Sequence, residues 1–254
     1  GNITSSGLLR RFVNEIKIAF IHRKMVSNTL MFLRLIRIII SYIRNLLDIK
    51  KHLRLISERG ERDLFAFVKK NKNIKIIFLH AREIIDRLAD ESLDVGFSGF
   101  DLLKESNTNI QKKISVSKKY KFGLADLVLA IPDRWIDVQT IADLEEVSFT
   151  FKEKKKKRLR VATKYPNLTR KFLFSKGVTQ FKLVESLGST ESCPFLGSSE
   201  IISDITSSGE TLKANNLRIL RDGKILSSQA CMLASKISSK KKFFKKLIKF
   251  FSDN

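Results

Sequence analysis

Between residues 74 and 235 short apolar runs, each bounded by turn residues, alternate with stretches of helical spacing. That alternation constrains the chain more than any other feature, because strands of four to eight residues interleaved with helices are the pattern of an α/β protein. The spacing predicts strands at Ile16–Phe20, Ile74–Leu79, Asp94–Phe97, Ala125–Ile131, Leu159–Ala162, Phe181–Leu183, Ile201–Ile205 and Ile225–Leu233. Helices fit at Ala81–Ala89, Ile141–Glu146, Asn167–Ser175, Thr190–Phe195 and Thr211–Asn215, and Lys152–Arg160 reads as a solvated surface loop. No internal repeat of 20 to 50 residues is visible.

The charge is unevenly placed. Of the formal +23, residues 1–62 carry +9, residues 152–160 carry +6 and residues 236–254 carry +6, so the intervening body is almost neutral. A nucleic-acid binder is disfavoured: the basic stretches lie outside the body, and the 152–160 run has no interleaved aromatic side chains to stack on bases. The tail Lys240–Phe251 sets Phe243, Phe244, Leu247, Ile248 and Phe251 on one side of a helix and lysines on the other, suited to packing on the protein's own surface or to a partner ahead of an anionic bilayer, for which one short basic helix is a weak anchor.

Leu30–Leu47 is apolar enough to suggest a membrane span, but Arg34, Arg37 and Arg44 interrupt it and no span is expected. No signal peptide is read, and two cysteines with three scattered histidines (His22, His52, His80) give neither a disulfide framework nor a zinc spacing. A reduced, cytoplasmic protein with Cys193 and Cys231 as small hydrophobes is therefore expected.

The most informative local sequence runs from Glu200 to Lys213. An apolar strand ends at Asp204, a hydroxyl-rich run with one glycine follows (Thr206, Ser207, Ser208, Gly209), and a helix opens at Thr211. Such a loop suits a phosphate monoester: backbone N–H groups converge, the hydroxyls of Thr206, Ser207, Ser208 and Thr211 add donors, and Gly209 supplies a positive φ or close approach. Asp204 is placed to accept from sugar hydroxyls or to help hold a hydrated Mg²⁺. A plain N-cap loop has the same composition, and the P-loop and dinucleotide fingerprints are both lacking.

Four longer segments then agree with one another. Leu159-Arg-Val-Ala-Thr-Lys-Tyr-Pro-Asn-Leu-Thr-Arg-Lys-Phe172, Val184-Glu-Ser-Leu-Gly-Ser-Thr-Glu191, the Asp204–Lys213 loop and Leu226-Ser-Ser-Gln-Ala230 closely resemble the ATP phosphoribosyltransferase family, whose reaction opens histidine biosynthesis. Upstream, Asp94–Leu103 is similar to that family's Asp-Leu-Gly-x-x-Gly-x-Asp segment.

The resemblance implies a two-lobed, periplasmic-binding-protein-like (type II) α/β fold with mixed sheets flanked by helices. Mapped onto this chain, lobe I is 1–122 plus 225–254, with the basic tail 236–254, and lobe II is 123–224. The implied reaction transfers the 5-phosphoribosyl group of phosphoribosyl pyrophosphate to N1 of ATP with Mg²⁺, releasing pyrophosphate, with no protein-held metal site. Asp204, Thr206, Ser207, Ser208, Gly209, Glu210 and Thr211 would bind phosphoribosyl pyrophosphate. Asp204 and Glu191 would serve catalysis, and Arg23, Lys24 and Asp101 would face ATP. A carboxylate in a helix's first turn is the plainer reading of Glu191.

Two departures qualify the match. Where the family has a strand followed by Pro-Ser-Lys-Gly-Arg, this chain has Ile16–Met25, one residue shorter and without the glycine, so the turn beside Arg23 and Lys24 has another shape. The alternative this raises is a catalytically impaired homologue that keeps fold and partner binding. No histidine-binding regulatory domain is expected after residue 235. The chain therefore resembles the short form, which works as a hetero-oligomer with a subunit similar to histidyl-tRNA synthetase.

Overall fold

The computed structural model describes residues 55–56, 65–68, 71–77, 79–186, 188–240 and 244–245. The expected strand Ile16–Phe20, the Leu30–Leu47 segment, Arg23, Lys24 and most of the 240–251 tail lie outside the described residues. The chain divides into two compact units at Leu79/His80. In the first, β1 (Leu55–Ile56), β2 (Phe65–Val68) and β3 (Asn71–Ile77) form an antiparallel three-stranded sheet.

The second unit contains two sheets. One has the order β4–β11–β5, built from β4 (Val95–Gly99), β5 (Ile114–Lys119) and β11 (Ala230–Ser235), all antiparallel. The other is mixed and five-stranded, in the order β10–β6–β9–β7–β8. Its members are β6 (Ala125–Pro132), β7 (Leu159–Thr163), β8 (Phe181–Glu185), β9 (Ile201–Thr206) and β10 (Leu217–Ser228). Strands β7, β8 and β9 are mutually parallel, β6 runs against them, and the edge strand β10 runs against β6 and so in the same direction as the other three. This is the α/β architecture that the alternation predicts, with a mixed sheet as the resemblance implies.

Each helix follows from local chemistry. In α1 (Ala81–Ala89) Ile85, Leu88 and Ala89 recur at helical spacing and are buried, and His80 caps the first turn by accepting the Arg82 N–H through Nδ1. The helix packs so closely on β4 that a Cβ at Gly96 would lie 2.3 Å from Ile84 Cγ2. Helices α2 (Phe100–Glu105) and α3 (Thr108–Lys113) follow β4 directly. Ile85, Leu88, Leu103, Ile114, Cys231 and Leu233 make one core between these helices and the sheet.

Helix α4 (Ile141–Lys155) opens with a capping box between Thr140 and Asp143. Together with α5 (Pro166–Ser175) it covers one face of the five-stranded sheet, where Leu129, Ile131, Leu144, Leu159, Val161, Leu173 and Ile201 are wholly buried. Burying each such side chain contributes roughly 1.5–3 kcal/mol. The other face holds Val128, Ala130, Ala162 and Ile202 against Leu212 of α6 (Glu210–Ala214). A last short helix, α7 (Lys236–Ser239), follows β11.

Three expectations are corrected. The run Ile225–Leu233 is two strands in two sheets: the Gln229 carbonyl accepts from Phe100 N–H at 3.0 Å and its side-chain amide donates to the Tyr120 carbonyl at 2.9 Å, which turns the chain between β10 and β11. The basic run is helical through Lys155, where lysines suit a helix C-terminus, and α4 ends at Lys156 with a left-handed φ of 54°. The helix expected at Thr190–Phe195 is only a 3₁₀ turn, Thr190–Ser192, followed closely by Pro194, which has no N–H to donate. Strand β5 escaped the pattern because its alternation, Ile114-Ser-Val-Ser117, holds only two apolar residues before Lys118 and Lys119 end it.

Candidate functional site

The carboxyl ends of parallel strands are where an open α/β sheet leaves a crevice for ligands. Here β7 and β9 pair in the register Val161↔Ile201, Ala162↔Ile202, Thr163↔Ser203, so Lys164 and Asp204 emerge together just beyond the last pair. β8 ends alongside at Glu185. Ser186 folds back to donate its N–H to the Thr163 carbonyl, and Thr190, fully buried, donates its hydroxyl to Ser186 Oγ at 3.1 Å.

Asp204 is therefore walled in. Its Oδ1 accepts the N–H of Ile205 at 2.8 Å, and the Thr190 hydroxyl lies within reach of the carboxylate. Burial raises its pKa above the ordinary carboxylate value, against the lowering influence of the Ile205 N–H, Lys164 and Thr190, and the charge of Glu191 adds to the rise. The structure thus brings the two residues singled out for catalysis, Asp204 and Glu191, to one place.

Beyond Asp204 the chain turns through Thr206–Gly209 into α6. Gly209 stands at φ 73°, the left-handed region that its lack of a Cβ permits, and nothing within 4 Å would meet a Cβ there. Thr206 Oγ1 accepts the Gly209 N–H at 2.9 Å and Ser208 Oγ the Glu210 N–H at 3.4 Å, which closes the loop on itself. Ser207, Ser208, Glu210 and Thr211 are exposed.

Asp101 approaches from the other sheet. It lies in the first turn of α2 and is 6% exposed, with Oδ1 accepting the Ser228 hydroxyl at 2.6 Å and Oδ2 the Tyr165 hydroxyl at 2.7 Å. Tyr165 is itself buried, and desolvation together with the Asp101 carboxylate raises its pKa well above that of a free phenol. Arg82 donates through Nη2 to the Lys164 carbonyl. Arg82, Asp101, Lys164, Tyr165, Thr190, Glu191 and Asp204 thus form one polar neighbourhood between the two sheets of this unit. Among the described residues no three or more His, Cys, Asp or Glu side chains gather to hold a metal ion.

Tyr165, Lys164 and Thr190 went unnoticed as site residues in the sequence. The available signal was Pro166: a proline at the first helical position places the residues just before it at a strand-to-helix turn, the usual site of ligand contacts.

A sequence profile of ATP phosphoribosyltransferase matches residues 80–253 of this chain. The chain belongs to the ATP phosphoribosyltransferase family. Over 184 residues it is 45% identical to the ATP phosphoribosyltransferase of Nitrobacter winogradskyi, covering 72% of this chain and 57% of that protein. It is 40% identical over 190 residues to that of Brucella melitensis biotype 2, covering 74% of this chain and 82% of that protein. The chain thus spans little more than half the length of several curated relatives in the family.

Among solved structures, the ATP phosphoribosyl transferase (HisG:HisZ) complex from Thermotoga maritima is similar over 82% of this chain and 90% of that chain, at 25% identity and a TM-score of 0.63. The sequence profile takes in both sheets of the second unit. Among the described residues no helix is long and apolar enough to cross a membrane.

Proposed function

We propose that the chain transfers the 5-phosphoribosyl group of phosphoribosyl pyrophosphate to N1 of ATP, giving phosphoribosyl-ATP and pyrophosphate. The observation that carries this is the β9–loop–α6 segment: an aspartate at the carboxyl end of a strand, then a Thr-Ser-Ser-Gly loop with a left-handed glycine, in a member of the ATP phosphoribosyltransferase family. In this reading Thr206–Thr211 hold the 5′-phosphate through backbone N–H groups and hydroxyls, and Asp204 meets the ribose hydroxyls. The site lies between two lobes, 1–122 with 225–254 and 123–224.

Chemically, N1 of ATP attacks C1 of the ribosyl group as the bond from C1 to the pyrophosphate oxygen breaks, and the bond's electron pair leaves with pyrophosphate. No covalent nucleophile on the protein is needed. The protein's task is to align two anionic substrates and to steady charge as it shifts to the leaving group. Asp204 and Glu191 offer carboxylate oxygens on one side, and the charge of Lys164 acts on Asp204. Asp101 serves the ATP side; Arg23 and Lys24 are assigned to ATP by the family resemblance alone.

Mg²⁺ is assigned as the cofactor: when bound it neutralises diphosphate charge. Two neighbouring carboxylates, with no larger ligand cluster among the described residues, fit an ion that keeps its waters and arrives on a phosphate. A histidyl-tRNA-synthetase-like subunit is the proposed partner in a hetero-oligomer, supported by the complex solved for the Thermotoga maritima protein. A cytoplasmic location follows from the substrates.

The test is phosphoribosyl-ATP formation with Mg²⁺ and a pyrophosphatase, with and without that subunit. Turnover that rises with the subunit and falls about a hundredfold or more in Asp204→Ala is the expected result. Absence of turnover in both conditions, with phosphoribosyl pyrophosphate still bound, would overturn the activity and favour the impaired homologue that the Ile21–Met25 departure suggests.

A further inference from the structure

Glu105 ends α2 with a buried carboxylate that the proposed chemistry does not use. It is 7% exposed; Oε1 accepts the Asn167 N–H at 2.8 Å and Oε2 the Leu168 N–H at 3.0 Å, while Asn167 Nδ2 donates to the Glu105 carbonyl at 2.9 Å. Those two N–H groups belong to the first turn of α5, whose cap residue Tyr165 makes no side-chain cap of its own and whose Pro166 has no N–H. A helix N-terminus in one part of the unit is thus capped by a side chain from another.

Both ends of this contact lead to the site. One turn back on α2, Asp101 holds the Tyr165 hydroxyl. On the far side, α5 is fastened to the strand bearing Asp204, because Thr169 Oγ1 donates to Ser203 Oγ at 2.8 Å and lies 3.3 Å from Thr163 Oγ1. A carboxylate spanning two successive N–H groups fixes both the distance and the rotation of the helix start. Without it, the Tyr165–Asp101 bond and the Asn167 amide's bond to the Glu105 carbonyl remain, but no side chain of α2 holds the backbone N–H groups of the helix's first turn.

We propose that Glu105 is a positioning residue: by seating the first turn of α5 on α2 it sets the separation between the Asp101 side of the site and the Asp204 side. The proposal rests on the reading of the two sides given above. Each substrate still finds its own half-site when the seat loosens, whereas in-line approach of N1 to C1 depends on their alignment, and misplacement by about 1 Å costs up to a hundredfold in rate.

The experiment uses the whole chain with its partner subunit and compares Glu105→Ala and Glu105→Gln with the parent, well below their melting temperatures. Expected is a turnover number reduced about tenfold in Glu105→Ala and less in Glu105→Gln, which keeps one acceptor, with the separately measured Kd values for ATP and phosphoribosyl pyrophosphate each within about threefold of the parent. Turnover within twofold of the parent in both variants, or a loss seen only in Kd, would overturn it. If Glu105→Ala does not fold, Glu105→Gln alone decides, by the same criteria. If the parent shows no turnover, the activity reading fails separately, and the seat is then tested by melting Glu105→Gln, Tyr165→Phe and the double variant. A double loss clearly smaller than the two single losses together supports a shared junction, and additive losses overturn it.

Discussion

Replacing Glu200 tests how the site is held in register. Glu200 stands one step before β9, whose pairs with β7 end at Thr163 and Ser203, and its carboxylate clamps the start of β7. Oε2 accepts the Arg160 backbone N–H at 2.7 Å, and the Arg160 guanidinium reaches both oxygens, Nη2 to Oε1 at 2.6 Å and Nε to each at 3.2 Å. The two parts of this clamp differ in worth. The bond from a backbone N–H to a carboxylate contributes about 1.5–2 kcal/mol, whereas the Arg160 side chain is 39% exposed and its screened ion pair adds about 0.5 kcal/mol. Glu200→Ala should therefore cost about 2–2.5 kcal/mol, which for a unit of this size lowers Tm by about 5–9 °C. Glu200→Gln, which keeps an acceptor for the backbone N–H, should lose about 1 kcal/mol, and its melting should respond less to added salt than the parent's. Turnover should follow the same order, because slack in the strand register reaches Lys164 and Asp204. Thermal melts at two salt concentrations decide the matter: equal losses in the two variants, or a Glu200→Ala melt within 1 °C of the parent, would refute the division between backbone clamp and ion pair.

Three further outcomes are expected. Because burial raises the Asp204 carboxyl above its unfolded value near 3.9, its contribution to stability is full below pH about 4 and is lost as pH rises through the folded value. The urea midpoint of the parent should accordingly fall relative to that of Asp204→Asn as pH rises from 4, then level off, and a pH-independent difference would contradict this. Gly209→Ala meets no neighbour but forces alanine to a φ of 73°, so it should cost about 1 kcal/mol and weaken phosphoribosyl pyrophosphate binding measured by calorimetry; an unchanged Kd would remove the loop from the phosphate site. Gly96→Ala drives a Cβ to 2.3 Å from Ile84 Cγ2, costing about 1–3 kcal/mol, and the added loss in a Gly96→Ala/Ile84→Ala pair should be smaller than in Gly96→Ala alone, with simple additivity the contrary result.

Much of this protein was legible one segment at a time. Apolar runs such as Ala125–Pro132 and Ile201–Thr206 are buried on both faces, so their composition alone marks them as strands; Asp204, the hydroxyl run and Gly209 announce a strand-to-helix loop because each residue type has a local conformational preference. Family membership was equally legible, since it rests on motifs read in order. Only the tertiary structure decided which segments meet. Gln229 divides one apolar run between two sheets through bonds to Phe100 and Tyr120, residues 129 and 109 positions away. Glu105, an ordinary helix-end glutamate in sequence, becomes a buried cap for a helix 62 residues later. Asp101, Tyr165 and Asp204 share one polar neighbourhood only because the chain leaves the β4–β11–β5 sheet after β5 and returns to it at β11. Local preference is set within a few residues by backbone sterics and hydrogen bonding, whereas these contacts are set by packing across long loops, whose closure no single stretch of sequence encodes.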